Sequence, residues 1–230
     1  MNPTLEKARP KSPPNRAKRR VSFEEFMAAT ADRFAEWVDG EVIEFMPASD
    51  THQGLLNFLN HLINLYVKLT GLGIVRLAPY AMRVTPRSVR EPDLLFLATE
   101  NAARRTEKLL TGPADLVVEI VSDDSVRRDR DEKYHEYAAA SVREYWVIDP
   151  RDGRRRADFF RLVAEGRYEL FATEDDGRVE SVVLPGFWLN PAWMWEAEER
   201  DPLMTLMEIR GLSAEASAQV RQLLQGPPAG

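Results

Sequence analysis

One apolar run interrupted by a single acid most constrains how this chain can fold. The run is Leu116-Val117-Val118-Glu119-Ile120-Val121. Such a continuous stretch of β-branched residues is typical of a central strand that is buried on both faces. A carboxylate in that setting is costly unless a cation or strong hydrogen bonds meet it. The run therefore predicts a sheet with both faces covered, and it predicts that Glu119 has a partner.

The rest of the chain mixes helical and strand patterns, which indicates an α/β sheet with helices on its faces. A capping box at Ser22–Glu25 predicts a short helix, and an apolar face at helical spacing predicts a long one from about 51 to 70. A further helix is expected from about 124 to 140. Strands are expected at 34–38, 41–45, 74–78, 80–84, 92–97, 116–121 and 144–149. A β meander is expected at 158–163, 168–172 and 179–184.

Composition divides the chain into three parts. Residues 1–20 are basic and rich in proline, which predicts a disordered tail that either contacts nucleic acid or serves as a solvated linker. Residues 21–198 are expected to form the folded domain. Residues 199–230 are expected to form a helical extension and a tail.

Bulk properties narrow the class of protein. The chain has 230 residues, no cysteine and a formal net charge of −6. The lack of cysteine excludes thiolate metal sites and fits a reducing compartment. The apolar stretches are shorter than the roughly 20 residues that span a bilayer, and no apolar segment follows the basic start. These features predict a cytoplasmic protein with no membrane partner, and the acidic balance still permits a nuclease with a local basic surface.

Asp93 and Lys133 are the residues that could act together with Glu119. Hydrolysis of a phosphodiester needs an activated water and neutralisation of phosphate charge, which a hard cation held by carboxylates can supply with help from a lysine. Each residue also has a plain structural reading. Asp93 could cap a turn, Glu119 could pair with a buried arginine, and Lys133 could be a solvated helix charge. Spacing alone does not favour Lys133 over Arg130.

A resemblance to a known family separates these readings. Pro92-Asp93 followed by Glu119 resembles the PD-(D/E)XK nuclease superfamily, which has the restriction-endonuclease-like fold. A longer ordered set of segments is similar to the Uma-type family of restriction endonucleases, over roughly residues 22–195. The segments are Glu36–Ile43, His52, Glu91–Leu94, Leu116–Ser122, Arg128–Asp129, Lys133, Tyr137, Glu144–Pro150 and Leu184–Phe187. The resemblance implies a mixed central sheet flanked by helices, here with a C-terminal β meander.

The resemblance also implies a catalytic set of Asp93, Glu119 and Lys133. Asp93 and Glu119 match the metal-binding acids, with Mg²⁺ as the expected ion and Mn²⁺ as a substitute. The superfamily expects lysine two residues after the glutamate, where this chain has Val121. The Uma-type pattern takes its lysine from the next helix, and Lys133 matches that position.

Three further positions match the family near the site and are possible accessory residues. Glu41 is interpreted as an acid that bonds a metal-bound water, His52 as a group that binds phosphate or a carboxylate, and Tyr137 as a neighbour of Lys133 one helical turn away. Ser141 departs from the family, which usually has glycine in the turn after that helix. This departure is expected to affect turn strain and not chemistry.

The sequence thus predicts a Mg²⁺-dependent endonuclease that acts on double-stranded DNA as a homodimer. Two other readings stay open. One is a catalytically silent nucleic-acid-binding or regulatory module on the same fold, and the other is a structural protein in which Glu119 pairs with Arg128 or Arg130. An aromatic group could stack on bases, or could belong to the core or a dimer surface. It comprises Phe187, Trp188, Trp193 and Trp195.

Overall fold

A computed structural model describes residues 20–29, 34–45 and 47–225. The predicted basic tail lies outside these residues, apart from Arg20. The helices are α1 (Phe23–Ala29), α2 (Asp50–Thr70), α3 (Lys133–Ala139), α4 (Pro202–Ile209) and α5 (Ala214–Gln225). The strands are β1 (Ala35–Val38), β2 (Glu41–Glu44), β3 (Gly73–Leu77), β4 (Ala81–Thr85), β5 (Ser88–Arg90), β6 (Leu94–Ala98), β7 (Leu109–Thr111), β8 (Leu116–Ile120), β9 (Glu144–Asp149), β10 (Arg156–Leu162), β11 (Tyr168–Thr173), β12 (Val179–Glu180) and β13 (Trp188–Leu189).

The central sheet has six strands in the order β11-β10-β9-β8-β6-β3. Strands β8 and β9 are parallel, while the other neighbouring pairs are antiparallel. The predicted mixed α/β sheet is therefore confirmed. β8, which contains Glu119, lies in the interior of the sheet between β6 and β9, and all five of its residues are buried.

The two faces of this sheet belong to different cores. Leu116, Val118 and Ile120 of β8 pack with the apolar face of α2, whereas Val117 packs on the opposite side with residues of α3. Because side chains alternate along a strand, Glu119 shares its face with Val117. The acid therefore points toward α3, which is the helix that begins at Lys133.

A second sheet has five strands in the order β2-β1-β5-β4-β7. The β1–β2 hairpin was predicted, with Asp39 and Gly40 at its turn in left-handed conformations. Ala35 and Trp37 of β1 pack with Phe26 of α1 in a third core. The alternate position, Glu36, is thereby directed to the other face of β1.

Two short strands of the second sheet, β5 and β7, were not predicted. Each has three residues, which is too short for a periodic pattern to be recognised. The third strand of the predicted meander also differs: β10 and β11 pair as expected, but β12 has only two residues and pairs with β13. The main-chain N–H groups of Val182 and Val183 donate to the buried carboxylate of Glu144, so they are not available for a longer ladder.

The segment between β8 and β9 carries a π-helical stretch, Arg128–Glu132, directly before α3. π-Helical turns are rare in proteins, and those that occur are often located at functional sites. After α3 the chain turns at Ser141, whose φ of 69° lies in the left-handed region. Glycine, which the family usually has here, adopts this conformation without penalty. Serine has a Cβ and is strained in it, as the sequence comparison led us to expect.

The C-terminal part packs on the face of the sheet that α2 covers. Leu206 and Ile209 of α4 are buried in the same core as α2, together with Phe187 and Trp193. The interpretation of these two aromatic residues as core is therefore confirmed. In the part of the chain that the structure describes, no helix has both the length and the apolar character needed to cross a membrane.

Candidate active site

Glu119 meets its partners on the α3 side of the central sheet, as the alternation of β8 requires. Its Oε1 accepts a hydrogen bond from the Tyr137 hydroxyl at 2.7 Å and lies 2.9 Å from Lys133 Nζ. Lys133 and Tyr137 are one turn apart on α3, so a single helix face supplies both groups. The structure therefore brings together the acid, the lysine and the tyrosine that the sequence singled out.

Lys133 is surrounded by three carboxylates. Besides Glu119, its Nζ lies 3.0 Å from Glu36 Oε1 and 3.2 Å from Asp129 Oδ1. All four side chains are almost fully buried. Neither Glu36 nor Asp129 was among the predicted site residues. A signal for each was present: Glu36 interrupts an apolar strand as Glu119 does, and Asp129 precedes Lys133 by one helical turn.

Arg90 extends this cluster into the second sheet. Its Nη1 donates to Glu36 Oε2 at 2.8 Å, and its Nε donates to Glu136 at 2.7 Å. Glu41, the predicted accessory acid, lies instead on β2 with an exposed side chain and does not line the site. On the neighbouring strand β1, Glu36 is the acid that reaches Lys133.

Asp93 lies directly before β6, where the antiparallel β6–β8 pairing places it beside the end of β8. Its Oδ2 accepts a hydrogen bond from the main-chain N–H of Ile120 at 2.7 Å. His52 Nε2, near the start of α2, lies 3.3 Å from Asp93 Oδ1. Asp93 and His52 are thus brought to the site in a direct contact, next to Glu119 in the sheet.

Arg128 and Arg130, which the sequence offered as possible partners of Glu119, have other partners. Arg130 forms an ion pair with Asp158 of β10. Arg128 lies over the ring of Phe45, with its guanidinium carbon 5.2 Å from the ring centroid. The ion pair of Glu119 is made with Lys133.

One lysine cannot neutralise three buried carboxylates, and the pKa values reflect this. Burial raises the pKa of Glu119 to about 8, against the opposing charge of Lys133. Burial also raises the pKa of Asp129. Burial acts in the same sense on Glu36, but Lys133 and Arg90 outweigh it and lower the pKa of that carboxyl. Burial alone would lower the pKa of Lys133, but the three carboxylates raise it well above its ordinary value.

A cavity of about 550 Å³ opens onto this cluster. It is lined by the proposed metal ligands Asp93 and Glu119 and by Lys133, together with His52 and Asp129. Leu56, Leu77 and Phe45 contribute apolar wall. The acids are therefore accessible to a ligand in the cavity although they are buried from bulk solvent.

The residues present fit a divalent metal ion by their charge and donor type. Glu36, Glu119 and Asp129 share Lys133, and burial raises the pKa of Glu119, so a further cation beside Glu119 would favour its ionised form. Across residues 20–29, 34–45 and 47–225, no three His, Asp or Glu side chains form a preassembled metal-ligand group. Mg²⁺ commonly binds through one or two carboxylates and keeps water or phosphate oxygens as its other ligands, so a site of this ion does not require such a group.

Metal ions are expected to raise the melting temperature more at about pH 8 than at about pH 6, because Glu119 must be ionised to bind them. Without metal, the raised pKa of folded Glu119 means that the unfolded chain binds fewer protons between about pH 4.5 and about pH 8, so stability falls as pH rises through this window. Thermal unfolding with and without Mn²⁺ at both pH values measures this. An equal shift at both would contradict the assignment, and the Asp93→Asn/Glu119→Gln variant should show no shift.

Comparison with known proteins identifies the family and the fold. The sequence matches the family Uma2, described as "Putative restriction endonuclease", over residues 23–192. A search of curated proteins finds no match. Among solved structures, a similar fold is found in a protein described as a putative nuclease belonging to DUF820 from Anabaena variabilis ATCC 29413. The TM-score is 0.65 at 15% sequence identity, over 77% of this chain and 99% of that one.

The mixed sheet has the fold of that protein, and the family match places the chain among nucleases. Because the match covers most of the chain, the protein belongs to the Uma2 family.

Proposed function

We propose that this protein is a metal-dependent endonuclease that hydrolyses phosphodiester bonds of double-stranded DNA. The single observation that carries the proposal is the 2.9 Å contact between Lys133 Nζ and Glu119 Oε1 in a cavity that Asp93 also lines. Asp93 and Glu119 would hold Mg²⁺ or Mn²⁺. Such an ion, when bound, supplies an activated water and neutralises charge on phosphate oxygens.

The role of Lys133 follows from its protonation state. Its pKa is raised well above the ordinary value because three carboxylates surround it, so it keeps its proton at neutral pH. Lys133 is therefore a poor general base. It acts as a fixed cation that orients Glu119 and offsets negative charge beside the cavity.

Tyr137 and His52 position the two acids. The phenol of Tyr137 has a pKa raised by burial and by Glu119, so it stays a hydrogen-bond donor and fixes Glu119 Oε1. Burial disfavours the charged form of His52, but Asp93 outweighs burial and raises the pKa of the imidazole. His52 thus holds Asp93 through the contact between its Nε2 and Asp93 Oδ1.

Purified protein is expected to nick and linearise supercoiled plasmid DNA with Mg²⁺ or Mn²⁺ and to stop when EDTA removes the ion. The Asp93→Asn variant should be inactive, because it removes a proposed metal ligand. Gel electrophoresis of a time course measures this. Metal binding without cleavage of any DNA or RNA would instead favour the catalytically silent module.

The proposal also covers the oligomeric state of the protein and its location in the cell. Cutting both strands of a duplex favours two active sites related by two-fold symmetry, and we therefore propose a homodimer. A cytoplasmic location fits the cysteine-free composition. Sedimentation of the purified protein with and without DNA tests the dimer.

A further inference from the structure

We infer that Arg128 binds a phosphate group of the DNA strand that enters the cavity. The inference deepens the proposed function and rests on it. Arg128 stands at the start of the π-helical stretch and lines the same cavity as Asp93 and Glu119. Its side chain is 14% exposed, so it belongs to the cavity wall and is not a freely solvated surface charge.

The hydrogen-bonding capacity of Arg128 is largely unused. Its Nε is buried and makes no hydrogen bond to any described residue. The carboxylate paired with it, Asp124, has its Oδ2 3.7 Å from Nη2, which is beyond hydrogen-bonding distance. Buried guanidinium groups normally have hydrogen-bond partners, so a guanidinium in a cavity wall with so few of them has donors available for a ligand.

The geometry of the guanidinium suits a phosphate. Its carbon lies 5.2 Å from the centroid of the Phe45 ring, so the aromatic face holds the group without using its N–H donors. The planar fork of arginine then presents two parallel donors, which match two oxygens of a phosphate.

The charges in the cavity make this residue necessary. Five carboxylates line it, and a phosphodiester that enters meets their repulsion. They belong to Glu91, Asp93, Glu119, Asp124 and Asp129. Among the described residues, the cationic side chains in the lining are those of His52, Arg128 and Lys133.

The other two cationic side chains have close carboxylate partners. Lys133 is paired with three carboxylates, and His52 Nε2 is paired with Asp93, which leaves the buried Nδ1 of the imidazole without a hydrogen bond. Among the three lining cations, Arg128 is the one whose carboxylate neighbour lies beyond hydrogen-bonding distance, so its guanidinium has donors left for an incoming anion.

The test measures DNA affinity against salt in a background that does not cleave. Glu119→Gln protein is titrated with a short fluorescein-labelled DNA duplex in Mg²⁺, and anisotropy gives Kd at several salt concentrations. Adding Arg128→Gln is expected to weaken binding about tenfold and to reduce the slope of log Kd against log salt by about 0.9, because one phosphate contact is lost.

Two further variants distinguish a phosphate contact from loss of structure. Arg127→Gln removes the same charge from the neighbouring, exposed position, which pairs with Glu132, and should leave the slope unchanged. Arg128→Lys keeps the charge, so it should retain the slope while binding more weakly than arginine. Arg128→Lys also serves if Arg128→Gln fails to fold. Weaker binding with a retained slope supports the phosphate contact, whereas an unchanged affinity contradicts it.

The outcomes separate this inference from the proposed function. If Arg128→Gln and Arg127→Gln give the same affinity and slope while Glu119→Gln is inactive, Arg128 does not bind phosphate although the nuclease centre stands. If Glu119→Gln still cleaves DNA as well as the unmodified protein, the nuclease centre is wrong and the inference about Arg128 fails with it.

Discussion

Glu119→Gln is expected to reduce metal-dependent cleavage by at least about 10²-fold, the scale of losing a group that stabilises charge in a transition state. Glutamine has the same shape as glutamate, and its carbonyl oxygen can still accept the hydrogen bond from Tyr137. It lacks the charge that pairs with Lys133 and that would bind a metal ion. The loss is therefore expected in the cleavage rate and in the metal-induced rise of the melting temperature.

Glu144→Gln is a matched control for this result. Glu144 is also a buried glutamate of the central sheet, and its side chain accepts hydrogen bonds from Ser181, Val182 and Trp146. Its substitution should lower stability, because an amide nitrogen cannot accept these bonds, but should preserve metal-dependent cleavage by the folded protein. Equal loss of cleavage in both variants at full folding would mean that Glu119 contributes to the fold and not to chemistry.

The central part of the site could be predicted because its residues stand out locally. A carboxylate within an apolar strand is unusual enough to mark Glu119, and the strand itself was predicted to within one residue. The choice of Lys133 over Arg130 required the family resemblance, because both residues lie in the same charged segment and their spacing from Glu119 does not distinguish them. Packing decides between them: Arg130 pairs with Asp158 on a strand that comes later in the chain.

The second sheet's contribution could not be predicted in the same way. The hairpin of β1 and β2 was evident, but which of its acids faces the site depends on how that sheet packs against α1 and α3. Trp37 joins the core beneath α1, and this forces Glu36 to the opposite face, where Lys133 and Arg90 meet it. Such contacts between separate sheets leave no periodic signal in the sequence, so the sequence indicated Glu41, whose side chain is exposed, and not Glu36.

Asp129 illustrates a different limit. It lies in a dense run of charged residues, where most side chains are solvated, and its i,i+4 relation to Lys133 is common on helix surfaces. The π-helical turn around it and the cover provided by Tyr145, whose hydroxyl donates to the main-chain carbonyl of Asp129, bury this acid. Burial of one charge among many is a property of the tertiary structure.

Lys133→Met is expected to destabilise the protein by about 3–5 kcal/mol near pH 8, the scale of breaking a buried ion pair from one side. Methionine fills a similar volume but leaves Glu36, Glu119 and Asp129 without their shared cation. Cleavage should be lost as well. Urea unfolding measures the stability, and Lys68→Met, at an exposed position of α2, should have little effect.

The pH dependence of this loss identifies its cause. Without Lys133 the pKa of each of the three carboxyls is expected to rise in the folded state, while in the unfolded chain the pKa values stay near their ordinary values. The unfolded chain then binds fewer protons than the folded one, so the stability deficit of Lys133→Met should grow as pH rises from about 5 to about 8. A deficit that does not change with pH would indicate a packing defect in place of uncompensated charge.

Removing one of the carboxylates should then restore part of the stability. The Lys133→Met/Asp129→Asn variant has one buried charge fewer than Lys133→Met, so it should unfold at higher urea concentration near pH 8, although Asp129→Asn alone in the presence of Lys133 is expected to be neutral or destabilising. Such a sign change shows that the lysine and the acid act on each other. Cleavage should not return in the double variant, because stability alone does not replace the cation that orients Glu119.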